Sequence, residues 1–188
     1  MSSLQEVHRG RVWKFGDSVD TNQLAGGGLV GASAAETLKI NCLRGLRPEF
    51  PDAVRPGDFV VGGENFGCGS SRQTAVEALQ LCGVAVVLAD TMARIFRRNS
   101  IALGLPAFGV PKISDLVDDG DELIVDYPNR VVRNASSGAT LPLATLPPSV
   151  EEVYESGGLV QVIGKRLAER GIFPTSARPA TAPKGALK

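Results

Sequence analysis

The chain has 188 residues, of which 43% are apolar and 21% charged, and its 20 basic and 20 acidic side chains cancel. This size and composition are typical of one globular domain whose core needs neither disulfides nor metal. The zero net charge disfavours a nucleic-acid binder, and no apolar run approaches a membrane span of ~20 residues or a signal-peptide core, so we expect a cytoplasmic protein.

The cysteine content argues against a disulfide framework and against a metal centre in this chain. The three cysteines, Cys42, Cys68 and Cys82, are odd in number and widely spaced, which is typical of a reducing compartment. The chain has no CxxC pair and one histidine. The sequence therefore predicts neither a zinc site nor an iron–sulfur site of its own.

The first third of the chain combines a strand, a polar turn and a glycine-rich loop. Alternating apolar residues over 8–15 predict a strand, and the DTN triplet at 20–22 is turn-prone. The loop over 25–33 contains three consecutive glycines. Ser33, with a glutamate three residues further on, forms a capping-box pattern that predicts a helix from 34 to about 43.

The middle of the chain alternates between strand and helix patterns. The predicted elements are a strand over 58–62, a glycine-rich loop over 62–69, a helix from Ser70 or Ser71 to about Leu81, a strand over 84–89, and a helix from Asp90 or Thr91 to about Leu103. The strand over 84–89 is wholly apolar, which is typical of a strand covered on both faces. This order is the pattern of an α/β unit.

The last part of the chain changes character. Short antiparallel strands are predicted over 121–126, 129–133 and 139–143, followed by a helix over 159–169. The Pro-rich and Ala-rich stretch over 174–188 has nothing to bury and is predicted to be a disordered tail. Residues 1–173 are therefore predicted to form a single domain.

The loop GGENFGCGSSR over 62–72 is the segment best suited to chemistry. A glycine-rich loop entering a helix presents unpaired N–H groups and positive potential to an anion. Arg72, in the predicted first turn, could clamp a carboxylate or phosphate, and the N–H groups could stabilise an alkoxide on Ser70 or Ser71. The plain alternative is that Ser70 caps the helix and Arg72 is a solvated charge. The loop lacks the GK[ST] of a triphosphate loop and the third glycine of a dinucleotide loop.

This segment and three others resemble the small subunit of 3-isopropylmalate dehydratase, of the aconitase superfamily. The stretches are GDSVDTNQL over 16–24, GENFGCGSSR over 63–72, VAVVLADTMARIFRRNSIALGLPAF over 84–108 and EEVYESGGLVQVIGKRLAERG over 151–171. The resemblance implies an α/β fold, namely a swivelling β/β/α three-layer domain. It also implies one half of a hydro-lyase that dehydrates and rehydrates a hydroxy dicarboxylic acid, either 3-isopropylmalate or a methyl-substituted malate, as in leucine biosynthesis.

The resemblance further implies roles for individual residues. Ser70 would take the proton from the carbon next to a carboxylate. Ser71, Arg72, Gly69 and Asn22 would bind substrate, with Arg72 on a carboxylate. The [4Fe–4S] cluster would belong to a separate large subunit, which is the expected partner, so this chain would bind no metal or other cofactor. Nucleic acid and membranes are not expected partners.

Two departures from the family pattern bear on the substrate. Asn22 stands where the family has an aspartate, so this position holds no negative charge. The next loop has no charged or aromatic side chain to read a third carboxylate, and Leu24, Leu29 and Val30 are predicted to line a small apolar pocket. We therefore expect a dicarboxylate with a small alkyl group. The alternative is a non-catalytic swivel-domain module that binds carboxylates or regulates a partner, which Asn22 favours and the intact SSR triplet opposes.

Overall fold

A computed structural model describes Leu4, residues 6–28 and residues 30–172 of the chain. Leu29 and the predicted tail over 174–188 lie outside the described residues, so the tail and the domain boundary after residue 173 stay predictions. In chain order, the described elements are β1 (Val7–Lys14), α1 (Thr21–Ala25), α2 (Ala34–Asn41), α3 (Phe50–Ala53), β2 (Phe59–Gly62), α4 (Thr74–Leu81), β3 (Val86–Ala89), α5 (Arg94–Leu103), β4 (Ala107–Gly109), α6 (Ile113–Leu116), β5 (Glu122–Asp126), β6 (Val131–Asn134), β7 (Thr140–Pro142), α7 (Pro148–Ser156) and α8 (Leu159–Glu169).

The strands form a mixed sheet in the order β4-β3-β2-β1-β5-β6-β7, and β1 joins its two halves. The end of β1 pairs in parallel with β2, with Val12 opposite Phe59, and β2, β3 and β4 continue this parallel half. The start of β1 pairs antiparallel with β5, with His8 opposite Val125, and β6 and β7 complete the antiparallel half. Strand β1 therefore belongs to both halves, with a parallel neighbour on one side and an antiparallel neighbour on the other.

The parallel half is covered on both faces, as its apolar strands predict. Val60 of β2 and Val87 of β3 point to a core shared with Phe96 and the other helix residues of α1, α3, α4 and α5. Their neighbours point the other way, where Phe59 packs in a second core with Leu123 and other residues of the antiparallel half. The order of layers is β, β, α, so the expected three-layer α/β fold is confirmed.

The predicted strands and the last helix are confirmed, but two helix starts are wrong. Helix α4 begins at Thr74, four residues after Ser70, and α5 begins at Arg94. The expected caps of α5 are used in tertiary contacts instead. The Thr91 hydroxyl accepts the N–H of Asn65 at 2.7 Å, and the Asp90 carboxylate accepts the N–H of Ser114 at 3.1 Å.

The polar triplet at 20–22 forms a helix start rather than the predicted turn. The Asp20 carboxylate accepts the N–H groups of Asn22 and Gln23 at 2.7 and 2.9 Å, and the Gln23 side chain accepts the Asp20 N–H at 2.8 Å. This reciprocal capping box stabilises the first turn of α1.

No helix in the described part of the chain is long and apolar enough to cross a membrane.

Asp119 ties β1 to the segment between α2 and α3. Its carboxylate accepts the Lys14 N–H at 2.9 Å and two N–H groups of Arg47 at 3.1 and 3.3 Å. Burial opposes ionisation of Asp119, but these donors outweigh it and lower the pKa of the carboxyl group. Because the pKa is lower in the folded state, the stabilisation is present at neutral pH and is lost as the pH falls through this lowered pKa.

We expect Asp119→Asn to lower the Tm by about 2–4 °C at pH 7, the shift that ~1 kcal/mol gives in a chain of this size. The deficit should shrink in melts recorded below about pH 4, where the wild-type carboxylate protonates as well. Asp118→Asn is the matched control, because the Asp118 side chain is 96% exposed. Equal losses in both variants, or a deficit that grows on acidification, would contradict this account.

Candidate active site

A cleft of about 300 Å³ lies beside the glycine-rich motif, among α1, α2 and the segment that leads into α4. Its lining residues are Thr21, Asn22, Ala25, Gly26, Gly27, Leu38, Ser70, Arg72 and Thr74. The cleft thus brings together three of the predicted site residues, Asn22, Ser70 and Arg72. Among the described lining residues, Arg72 alone carries a charge. The predicted substrate contacts Gly69 and Ser71 flank Ser70 in the chain and are exposed.

The motif loop is held in place by backbone pairing with the segment that leads into α1 and with the first residue of that helix. The N–H of Gly67 donates to the carbonyl of Val19 at 2.8 Å, and the N–H of Thr21 donates to the carbonyl of Cys68 at 2.8 Å. Gly67 has a φ of +76°, and a side chain there would overlap the ring of Phe96. Glycine is required at this position, because both the left-handed conformation and the close approach exclude a Cβ.

Ser70 is fixed on both its backbone and its side chain. Its N–H donates to the Thr21 hydroxyl at 2.8 Å. Its Oγ accepts two N–H groups of Arg72, the backbone N–H and Nε–H, each at 3.2 Å. Two donors on one hydroxyl oxygen, one of them from a cation, favour the alkoxide form.

The donors at Ser70 differ from those predicted. We expected unpaired N–H groups in the first turn of a helix, with Arg72 in that turn. Because α4 begins only at Thr74, Ser70 and Arg72 lie in the loop before the helix, and that expectation is wrong. The polarising N–H groups come from Arg72 itself, which leaves the remaining guanidinium donors for a ligand carboxylate.

Asn99 of α5 anchors the motif loop from the opposite side, and sequence analysis missed this residue. Its Nδ2 donates to the carbonyls of Ser71 and Arg72 at 3.0 and 3.3 Å. The sequence signal was present in the RIFRRN stretch over 94–99, but a pattern in one helix does not reveal which distant carbonyls its amide reaches. Asn99 therefore fixes the two peptide carbonyls that lie on either side of the Arg72 Cα.

Asn22 is exposed at the cleft and presents an uncharged amide. The nearby Asp20 does not replace the missing carboxylate, because its Oδ1 is occupied as the cap of α1. The described lining of the cleft thus contains no carboxylate. A negatively charged ligand meets attraction from Arg72 and no opposing charge within this lining.

The apolar wall of the cleft differs from the predicted one. Leu24 is wholly buried in the helix-side core, so it does not line the cleft, and Val30 is 87% exposed and lies outside the lining. Leu29 falls outside the described residues. The wall is formed instead by Ala25 and Leu38. The reason is that residues 21–25 form a helix, which turns Leu24 inward and Asn22 and Ala25, three residues apart, toward the cleft.

The described residues do not fit an iron–sulfur cluster, which is held by several cysteine thiolates. Among them, no three His, Cys, Asp or Glu side chains lie close enough to share a metal ion. Cys42 and Cys82 are buried together in the helix-side core, where the hydrogen bond between the two thiols and burial raise the pKa of Cys42. Cys68 lies apart from them in the motif loop, with its thiol 3.7 Å from the carbonyl of Ser18.

Comparisons with known proteins agree with this fold and motif. Residues 29–110 match the family described as the aconitase C-terminal domain. The chain is 46% identical over 161 residues to 3-isopropylmalate dehydratase small subunit 1 of Archaeoglobus fulgidus, a match that covers 86% of this chain and 99% of the relative. It is 40% identical over 166 residues to the isopropylmalate/citramalate isomerase small subunit of Methanocaldococcus jannaschii, with 88% and 99% covered.

A third relative and a solved structure extend the comparison. The methanogen homoaconitase small subunit of Methanothermobacter thermautotrophicus is 40% identical over 157 residues, with 84% of this chain and 91% of the relative covered. The crystal structure of 3-isopropylmalate dehydratase from Methanocaldococcus jannaschii superimposes with a TM-score of 0.81 at 36% identity, and the match covers 88% of this chain and 98% of that chain. The protein belongs to the family of 3-isopropylmalate dehydratase small subunits, within the aconitase-type hydro-lyases.

Proposed function

We propose that this chain works as the small subunit of a two-chain hydro-lyase, in which Ser70 is the base and Arg72 binds a substrate carboxylate. The observation that carries the proposal is the pair of Arg72 N–H groups, each 3.2 Å from Ser70 Oγ, at the edge of an open cleft. A serine oxygen is a weak base unless its negative charge is stabilised, and these two donors supply that stabilisation.

In the proposed reaction a hydroxy dicarboxylic acid binds with one carboxylate on the Arg72 guanidinium. Ser70 Oγ, in its alkoxide form, takes the proton from the carbon next to a carboxylate. The electron pair of that C–H bond forms the C=C bond, and the hydroxyl group leaves from the neighbouring carbon as the C–O bond breaks. In the reverse direction the hydroxyl group adds to one carbon while Ser70 returns the proton to the other, so that the elements of water are added. Ser71, Gly69 and Asn22 contribute polar contacts around the bound acid.

The chain's partner in this proposal is a large subunit that would carry the [4Fe–4S] cluster, which would supply Lewis-acid chemistry at the departing hydroxyl. Two observations support this division. The described residues of this chain do not assemble a set of cluster ligands, and the described lining of its cleft contains one cation, which suffices for one of the two carboxylates. In this proposal the other carboxylate and the hydroxyl bind to groups of the large subunit.

Anaerobic affinity purification of the full tagged chain from its native cell, with the visible spectrum recorded, tests the partnership. We expect a larger chain to co-purify and to bring iron–sulfur absorbance. A colourless chain that purifies alone, under conditions that preserve such clusters, would contradict the two-subunit proposal. It would leave the alternative of a carboxylate-binding module.

The cleft favours a dicarboxylate with a small alkyl group over a tricarboxylate. The relatives' names include isopropylmalate, citramalate and homoaconitase activities, so membership of the family leaves the substrate open. The described lining offers one guanidinium, from Arg72, together with the apolar side chains of Ala25 and Leu38. A third carboxylate facing that apolar wall would lose its hydration without gaining a partner.

Asn99 is proposed as a positioning residue, and its replacement gives a prediction. Asn99→Ala and the isosteric Asn99→Asp both lose the donor to the Ser71 and Arg72 carbonyls, so each should lower kcat by roughly 10–100-fold, since a misplacement of ~1 Å costs about that much. Asn99→Gln, which keeps an N–H donor, should recover part of the loss.

Steady-state kinetics of the reconstituted complex, with thermal melts alongside, check this expectation. Arg97→Ala is the control, because Arg97 is exposed on the same helix. A purely structural role for Asn99 predicts a lower Tm with normal kcat in the folded fraction, and that result would overturn the positioning role.

A further inference from the structure

We infer that Leu38, on helix α2, sets the size of the alkyl group that the substrate can carry. This inference rests on the proposed function and deepens it, because it assigns a specificity role within the same cleft. Sequence analysis placed that role on Leu24, Leu29 and Val30, and the structure gives a different residue the required position.

The cleft lining combines polar and apolar side chains. Ser70 and Arg72 are the polar residues at which the carboxylate and the reacting carbon are proposed to bind. Leu38 and Ala25 contribute apolar side chains from two helices, and Leu38 is the larger of the two. When a substrate is held by its carboxylate at Arg72, packing its alkyl substituent against these apolar side chains is more favourable than leaving it against the polar ones.

Leu38 is suited to discriminate between alkyl groups of different size because its side chain is held by packing against the helix-side core. It is partly buried and packs against the helix-side core, and α2 contacts both α1 and α4. Gly26, at the end of α1, approaches the Asn41 carbonyl so closely that a side chain there would overlap it. The two helices are thus fixed in relation to each other, and a site on such elements discriminates more sharply than one on a loop.

The described part of the loop between these helices offers no comparable apolar contact to the cleft. Val30 is 87% exposed, and the next residues are tied back onto α2, with the Gly31 N–H donating to the Thr37 hydroxyl at 3.0 Å. The described part of this loop therefore lies along α2 and contributes only Gly26 and Gly27 to the cleft lining. Among the described lining residues, Leu38 is the only aliphatic side chain longer than alanine.

The test compares two substrates of different alkyl size in the complete two-chain enzyme. The measured quantity is the ratio of kcat/KM for 3-isopropylmalate to that for 3-methylmalate, which carries a methyl group at the same carbon. Leu38→Phe should lower this ratio by about 10–100-fold, the range in which a hydrophobic pocket discriminates one or two carbons. Leu38→Ala should change the ratio in the opposite direction, and Leu38→Met, of similar volume, should leave it within about threefold.

The control variant is Val160→Phe, which adds bulk at a position on α8 that is 76% exposed and outside the cleft lining, and it should leave the ratio unchanged. Ratios that stay at the wild-type value in both Leu38→Phe and Leu38→Ala, in complexes that still turn over, overturn the inference. If Leu38→Phe does not fold, Leu38→Ala decides alone. Failure of the proposed function is recognised separately, because the wild-type complex would then convert neither substrate.

Discussion

Replacing Ser70 by alanine in the assembled two-chain enzyme is expected to lower kcat by about 10²–10⁴-fold, the contribution of a well-placed general base. The other described lining residues, among them Thr21, Asn22 and Thr74, offer no side chain of comparable basicity. KM should change little, because Arg72 keeps its place on the substrate carboxylate. The loss should therefore appear in the chemical step rather than in binding.

Initial rates followed by the ultraviolet absorbance of the unsaturated product measure this loss. Thermal melts and co-purification with the large subunit show whether the variant folds and assembles. Ser136→Ala is the matched control, since Ser136 is exposed in the turn between β6 and β7, away from the cleft. A Ser70→Ala complex with more than about a tenth of wild-type kcat would place the base elsewhere.

Replacing Arg72 should harm both binding and chemistry. Arg72→Ala removes the guanidinium that is proposed to bind the carboxylate. It also removes the Nε–H donor to Ser70 and the positive charge near Ser70 Oγ. We expect kcat/KM to fall by about 10²–10³-fold, with KM raised and kcat lowered together. Arg72→Lys keeps the charge but loses the fork of N–H donors, so it should recover less than about tenfold of the loss.

The comparison with Arg133→Ala separates this effect from a general loss of charge, because Arg133 lies on β6 in the antiparallel half of the sheet. That control should keep wild-type kinetics. A fully active Arg72→Lys variant would show that charge alone suffices. An Arg72→Ala variant with unchanged KM would contradict the carboxylate clamp.

The sequence was a good guide where a local pattern matches a local structure. The apolar run over 84–89 contains β3, and the predicted helix over 159–169 coincides with α8, because periodicity and glycine stops are local signals. Helix starts were harder to predict where several polar residues compete to be the cap. Thr91 is an ordinary cap candidate in the sequence, but its hydroxyl accepts the Asn65 N–H, a tertiary contact that no local pattern contains.

The motif was found from the sequence, but the geometry of the site was not. The Ser70 N–H donates to the hydroxyl of Thr21, 49 positions away, and Asn99 reaches the carbonyl of Ser71 from 28 positions away. The apolar wall of the cleft was predicted wrongly for the same reason, because it depends on contacts between elements that are distant in the sequence. Once α1 is a helix, Leu24 turns into the core, and Leu38 from the next helix occupies the wall of the cleft.

The most direct test of the central claim is the rate of 3-isopropylmalate dehydration measured anaerobically for three samples: this chain, the proposed large subunit, and the two mixed. We expect turnover only in the mixture, and a mixture made with Ser70→Ala should assemble yet lose nearly all of that turnover. Turnover by the large subunit alone, or undiminished turnover with the Ser70→Ala chain, would contradict the claim that this chain supplies the base.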